Sequence, residues 1–249
     1  MTTDVLVARD ANILRLTMNR PAKKNALTGA MYKAMQDALE LADRDDTVGA
    51  LLITGTDGVF TAGNDIGDFL AGTRYEHGSP ALRFIHAIAL CETPIVAAVD
   101  GNAVGVGTTM LFHCDLVYAA PSAKFRMPFI DLGLVPEAAS SMTVPLRVGM
   151  AKGSEWLLLG DAFDAEEAYR CGVINKIVEP EELIETARQA AMRLAAKPKQ
   201  ALAATRRLMR GDRQTIRAQM AKESEAFAAA LESPEAKAAF SAFLSKAKA

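Results

Sequence analysis

The chain has 249 residues, half of them hydrophobic, enough for one large α/β domain with a helical appendage and too apolar for a disordered chain. Its 28 basic and 30 acidic residues leave a formal net charge of −2, so no global field draws it to nucleic acid or to an anionic membrane. Three widely spaced cysteines, Cys91, Cys114 and Cys171, fit neither a disulfide framework nor a Cys-x-x-Cys metal site and read as reduced, buried thiols. No apolar run reaches the length of a membrane span, and MTTDVLVARD has neither a basic n-region nor an apolar h-region; a soluble cytoplasmic protein is expected.

In chain order, VLVARDANILRLTMN reads as two strands joined by a turn at Asp10–Asn12. Thr28 is placed to cap a helix with Met31, Met35, Ala38, Leu39 and Ala42 on one face and Lys33, Gln36, Asp37 and Glu40 on the other. GALLIT (49–54) is the next strand, followed after a loop by an amphipathic segment carrying Leu82, Ile85, Ile88 and Ala89. PIVAAV (94–99) suits a strand buried on both faces, and it runs into DGNAVGVGTTMLFHCD, where Gly101, Gly105 and Gly107 precede an apolar helix. LVYAA (116–120) is a further strand. The repetition of strand, strand and helix predicts a spiral α/β core.

Beyond about residue 150 the pattern turns helical, at AKGSEWLLLG, DAEEAYRCG, EELIETARQAAMRLAA and KQALAATRRLMRG, with one short strand, VINKIV (173–178). The segments 214–232 and 234–248 carry Met220, Phe227, Ala230, Phe240 and Phe243 on helical stripes, which need the core or another subunit to cover them.

Two loops are candidates for chemistry. FTAGNDI (60–66) ends a buried strand without the Lys and Ser/Thr of a phosphate-binding loop. Its small residues let a ligand approach free main-chain N–H groups, which suits an anion or a developing oxyanion. Taken alone, a tight turn with Asp65 as helix cap is the simpler explanation and needs no ligand. GNAVGVG (101–107) repeats the arrangement, and two such loops can aim two N–H groups at one oxygen with a helix dipole behind them. The glycine spacing matches neither a dinucleotide fold nor a Walker loop.

Glu137, in GLVPEAASS, fits a helix start, with Pro136 at the first position and an acid in the first turn. A carboxylate in an apolar pocket has its charged form desolvated, however, which suits a general base working near neutral pH. Asp131 reads as a strand-end or turn residue. His77, His86 and His113 share no metal-ligand spacing, and there is no Gly-x-Ser-x-Gly elbow. Lys23 and Lys24, and Arg206, Arg207 and Arg210, read as solvated faces able to touch phosphates.

Taken together, NRPAKKNAL (19–27), FTAGNDI, PIVAAVDGNAVGVG and CDLVYAA, in this order and spacing, resemble the crotonase (enoyl-CoA hydratase/isomerase) superfamily over essentially the whole chain. The resemblance implies a crotonase-like spiral of strand-strand-helix units, with an acyl-CoA-binding core at 1–195 and a helical C-terminal trimerisation region at 196–249. It implies an acyl-CoA thioester as ligand, with CoA part of the substrate and neither separate cofactor nor metal, and a homotrimer or dimer of trimers. It assigns the thioester oxygen to two main-chain N–H groups. One is Asn64, before the Asp of the A-G-x-D pattern; the other is Val106, in the middle of Gly105-Val106-Gly107 where the family carries three glycines, with Gly105 the adjacent alternative. For CoA it points to Lys24, Ala26, Leu27, Ala62, Gly63, Asp65 and Ile66, with Phe243 and Lys246 near the adenine end.

Family hydratases carry two glutamates at positions where this chain has Thr109 and Phe129, neither of which can transfer a proton as a carboxylate would. Glu137 instead resembles the glutamate in the PEG-SS segment of peroxisomal-type Δ3-Δ2-enoyl-CoA isomerases. That implies a single base, taking a proton from C2 and returning it to C4. Two further readings stand beside this one: hydration or thioester hydrolysis by the same fold, and a non-catalytic acyl-CoA-binding protein.

Overall fold

The computed structural model describes residues 3–67 and 78–246, except the side chains of Phe243, Leu244 and Lys246; His77 lies outside the described residues. The opening hairpin pairs β1 (Val5–Asp10) antiparallel with β2 (Ile13–Met18), and Ala11 takes a positive φ of 54° in the turn. α1 (Gly29–Arg44) follows, its first turn capped by Thr28, whose hydroxyl accepts from the Met31 N–H. β3 (Ala50–Thr54) then leads, beyond the loop that carries FTAGNDI, to α2 (Pro80–Leu90), capped in the same way by Ser79.

The next turn of the chain is β4 (Ile95–Val99), β5 (Asn102–Val104), α3 (Val106–Thr109) and a 3-10 turn at Met110–His113. After it come β6 (Leu116–Ala119), β7 (Lys124–Arg126), a 3-10 turn at Ile130–Leu132, α4 (Ser140–Val148) and α5 (Met150–Ser154). The chain continues through β8 (Phe163–Asp164), α6 (Ala165–Arg170) and β9 (Lys176–Ile177). It ends in α7 (Pro180–Ala195), α8 (Lys199–Arg210), α9 (Arg213–Leu231) and α10 (Pro234–Lys246).

The strands form a six-stranded sheet, β1-β2-β3-β4-β6-β9, parallel from β2 onward, and a smaller sheet, β5-β7-β8. β4 with β5, and β6 with β7, each place one strand in the large sheet and the next in the small one before a helix. This is the expected spiral. The continuous apolar runs are explained by burial on both faces: Leu51, Ile53, Ile95, Ala97 and Val99 join the main core with α1 and α2. Ala50, Leu52, Val96 and Ala98 pack instead with Leu183, Ala187 and Ala191 of α7.

The structure differs from the expectation in four places. The strand expected over 173–178 shrinks to two residues, because Asn175 bonds Val117 through both its main-chain N–H and its side-chain oxygen, each at 2.7 Å. The apolar helix after the glycines makes one α-helical turn and tightens to 3-10. β5 is too short to stand out in the sequence. Arg206 is buried: its guanidinium makes a two-pronged pair with Asp115 at 2.9 Å per prong. Arg210 joins the same carboxylate at 3.0 Å, so this face of α8 docks on the core while Arg207 stays exposed. Phe227 and Phe240 are buried within their own chain, with α9 against α2 and α10 against the turn at 130–132.

His113, at the end of the 3-10 turn, is buried and held neutral. Burial pushes its pKa down to about 4, Arg210 and Arg147 add to that, and the Ala138 carbonyl opposes it. An unfolded histidine takes its proton near pH 6.5 and this one near 4, so the unfolded state binds the extra proton between them. Stability is therefore full above about pH 6.5 and declines as pH falls toward 4, by about 3 kcal/mol for a shift of this size. Denaturant titrations at pH 7 and pH 4.5 should show a smaller loss between the two in His113→Gln than in the wild type.

Candidate active site

The segment after β3 is hydrogen-bonded along both edges. On one side the Thr61 N–H donates to Asn102 (2.9 Å) and the Val104 N–H donates to Thr61 (3.0 Å), joining the segment to β5. On the other, the Leu27 N–H donates to Gly63 (2.8 Å) and the Asp65 N–H donates to Leu27 (3.0 Å). In a parallel pairing of this kind Gly63 and Asp65 turn their bonding groups toward Leu27, so the N–H of Asn64 faces the opposite side. The glycine there is obligatory: Gly63 has φ +84°, and a Cβ on it would lie 2.7 Å from the Val104 carbonyl oxygen.

The second loop turns at Gly105, whose φ of 56° with ψ of −119° is open to glycine and hostile to other residues. The Gly105 N–H is occupied by the Arg126 carbonyl at 2.8 Å. Val106 is the first residue of α3, and Thr108 and Thr109 take the Gly105 carbonyl. Among the described residues neither the Asn64 nor the Val106 N–H has a main-chain acceptor. Both residues line one cavity of about 450 Å³, with Ala62, Gly63, Ile66 and Gly105, and with Phe129, Leu132, Leu134, Phe227 and Phe240 supplying apolar wall. Two such donors can hold one oxygen as charge builds on it.

Glu137 lines the same cavity and is 5% exposed. It is not in the first turn of a helix, as the Pro-Glu pattern allowed: α4 starts at Ser140, and Glu137 belongs to the loop before it. The next two residues, Ala138 and Ala139, have φ of 60° and 56°. Each left-handed alanine costs roughly 1–2 kcal/mol, so this turn persists only because its surroundings hold it. The Thr109 hydroxyl donates to Glu137 Oε1 at 2.8 Å, and the His113 ring donates from Nε2 to the Ala138 carbonyl at 2.8 Å. Glu223 of α9 accepts from the Ala139 N–H (2.5 Å), the Ser141 N–H (3.0 Å) and the Ser141 hydroxyl. Burial pushes the Glu223 carboxyl up, against the pull of these donors.

The other residues singled out in the sequence divide clearly. Lys24, Ala26 and Leu27 run beside the 62–65 segment, with the Ala62 N–H donating to Lys24 at 2.9 Å, yet they do not line the cavity. Asp65 pairs with Arg20 at 2.7 Å and ties the NRPAKKNAL segment to the loop. Asp131 lies in the 3-10 turn on the cavity wall, paired with Arg126 at 2.9 Å. Phe243 and Lys246 belong to α10, and their side chains lie outside the described residues. Among the described residues no three or more His, Cys, Asp or Glu gather as a metal-ligand set. None of their helices is long and apolar enough to cross a membrane.

Sequence reasoning passed over Tyr32 and Glu223. Tyr32 is buried on α1, and its hydroxyl donates to the side-chain oxygen of Asn64. Burial first, and then the charge of Glu137, push its pKa well above the ordinary phenol value. The available signal was its place beside Met31 on the buried stripe of α1, where a polar tip needs a partner. For Glu223 the signal was an acid one helical turn before Phe227 on the face of α9 that meets the core.

The family described as enoyl-CoA hydratase/isomerase has a sequence model that matches residues 8–249. Enoyl-CoA delta isomerase 2 of Rattus norvegicus is 39% identical over 188 residues, covering 73% of this chain and 48% of that protein. The chain thus spans about half the length of that relative. Crotonyl-CoA hydratase of Syntrophomonas wolfei subsp. wolfei is 32% identical over 251 residues, 99% of this chain and 96% of that protein. The crystal structure of an enoyl-CoA hydratase/isomerase from Pseudoalteromonas atlantica T6c superimposes with a TM-score of 0.93 at 42% identity, covering 98% of each chain. With the two glycine loops and the spiral they grow from, these likenesses make the chain a member of the enoyl-CoA hydratase/isomerase family, the crotonase superfamily.

Proposed function

We propose that the protein is a soluble, cytoplasmic Δ3-Δ2-enoyl-CoA isomerase. The thioester oxygen of a 3-enoyl-CoA sits between the N–H groups of Asn64 and Val106, which form an oxyanion hole. Glu137 takes the proton from C2, the negative charge spreads onto the oxygen as an enolate, and the same carboxylate returns the proton to C4. The double bond ends in conjugation with the thioester, and Glu137 ends as it began. Removing one oxyanion donor costs other enzymes about 3 kcal/mol, so the pair carries much of the barrier reduction. CoA arrives as part of the substrate and no other cofactor is needed. Its pantetheine and nucleotide run along Lys24, Ala26, Leu27 and residues 62–66 toward Phe243 and Lys246.

One observation carries this reading: Glu137 is buried on the cavity wall, while the two positions at which family hydratases resemble one another in bearing glutamate hold Thr109 and Phe129. Thr109 is not an idle replacement, because its hydroxyl is committed to Glu137. The other wall carboxylate, Asp131, is neutralised by Arg126. One positioned base suffices for a double-bond shift, whereas adding water calls for a second group to activate it. The crotonyl-CoA hydratase relative keeps hydration as the competing reading. We also propose a homotrimer or dimer of trimers, supported by Leu146 and Met209, 82% and 81% exposed on one groove, where water is a poor neighbour for apolar side chains.

Three outcomes are expected. In a panel of acyl-CoAs, 3-enoyl-CoA is converted to 2-enoyl-CoA faster than crotonyl-CoA is hydrated, and Glu137→Gln lowers kcat by about 10²–10⁴-fold with an unchanged circular dichroism spectrum. Undiminished isomerisation in that variant overturns the proposal, faster hydration favours the hydratase reading, and binding without turnover favours a binding protein. Asn64→Ala keeps most of kcat, since only its main chain meets the oxygen, but melts earlier, because the buried Tyr32 hydroxyl is left without its acceptor at a cost of about 1–3 kcal/mol. Leu146→Glu combined with Met209→Glu shifts the sedimentation coefficient from assembly to monomer.

A further inference from the structure

The turn that follows Glu137 is held by a residue far away in the chain. Glu223 sits at the middle of α9, buried, and its two carboxylate oxygens receive the N–H groups of Ala139 and Ser141 and the Ser141 hydroxyl. Gln219, one helical turn earlier, donates to the same hydroxyl at 2.8 Å. Phe227, one turn later, lines the cavity. A single stripe of α9, spaced i, i+4, i+8, thus grips the turn at one end and forms acyl-pocket wall at the other.

A carboxylate at this place satisfies N–H groups that the start of α4 leaves without helical partners, and an anion is favoured there. Stability alone would be served by any ordinary cap. Here the gripped residues are the immediate successors of Glu137, and two consecutive left-handed alanines would relax to other conformations if released. Relaxation there rotates the peptide that carries Glu137 and moves its carboxylate, against the Thr109 bond, within the cavity.

We infer that Glu223 is a positioning residue for Glu137: by clamping the Ala138–Ala139 turn, the C-terminal helix α9 sets where the catalytic carboxylate points. The inference rests on Glu137 being the base. It makes the C-terminal region part of the catalytic unit as well as a surface for assembly.

The test compares kcat and KM of wild type, Glu223→Gln, Ser141→Ala and Glu137→Gln on a 3-enoyl-CoA, with amide hydrogen exchange of the peptide spanning 137–145. Glu223→Gln sets an NH₂ against N–H donors and is expected to lower kcat by about 10–100-fold, as a misplacement near 1 Å does, with KM within about twofold. Exchange at 139–141 rises. Ser141→Ala, which removes one of the three donors and leaves the fold intact, lowers kcat several-fold in the same direction. Ala138→Gly with Ala139→Gly, which removes the strain of left-handed backbone there, restores part of kcat per folded molecule to Glu223→Gln; a residue that served stability alone would give no such rescue. Wild-type kcat per folded molecule in Glu223→Gln and Ser141→Ala, with Glu137→Gln inactive, overturns the inference and leaves the isomerase reading standing. Full activity in Glu137→Gln removes that reading, and the exchange data then still report whether Glu223 clamps the turn.

Discussion

The site depends on a strip of main chain, residues 61–65, that is paired on both edges. Pairing to Leu27 fixes which way the Asn64 peptide faces, and pairing to β5 fixes how close the second loop comes. Both loops are thereby tied into main-chain pairing, which gives their N–H groups a rigidity that side chains on long stems lack. Tyr32 adds a third restraint through the Asn64 side chain, so the first helix of the chain is tied to the same strip. Within the two loops it is Gly63 and Gly105 whose backbone angles other residues resist, and at Gly63 a side chain would also meet the Val104 carbonyl.

Carboxylates act repeatedly as staples between crossing segments. Asp43 of α1 accepts from the N–H groups of Glu92 and Thr93 after α2. Asp115 accepts from the Ile95 N–H and from Arg206 and Arg210 of α8. Glu223 accepts from the start of α4. In each case a charge leaves water only where main-chain or guanidinium donors meet it, as burial demands. Glu137 lies on the largely apolar wall of a cavity, where it accepts from the neutral hydroxyl of Thr109.

Much of the architecture is legible in the sequence because it is written in local periodicity. The β1–β2 hairpin, the Thr28 cap, the strands buried on both faces and the helices of the last third follow from spacing and end signals alone. FTAGNDI and GNAVGVG are legible as a pair, since both follow buried strands, and the structure brings them to one cavity. What escapes is set by long-range partners. The Pro-Glu pattern looks like a helix start until Ala138 and Ala139 are seen in left-handed backbone, which no preference for alanine announces. Arg206 looks solvated until Asp115 is found beside it, and Asn175 cuts a strand short by bonding across to β6. Glu223 is one of two acids in α9, with Glu225, and its partners distinguish it.

The order of the strands in the large sheet carries a consequence for biosynthesis. β1, β2, β3, β4 and β6 pair in the order in which the ribosome delivers them, each joining the edge left by its predecessor. Such a ladder can grow while translation continues, every new crossover closing a loop of modest length. The turn after Glu137 has no such neighbour to wait for it. Its clamp lies 84 residues further on, within α9, so a nascent chain that already holds its sheet and both glycine loops still lacks the contact that holds this turn. The sheet can therefore be complete while the turn beside the cavity still waits for the C-terminal helices.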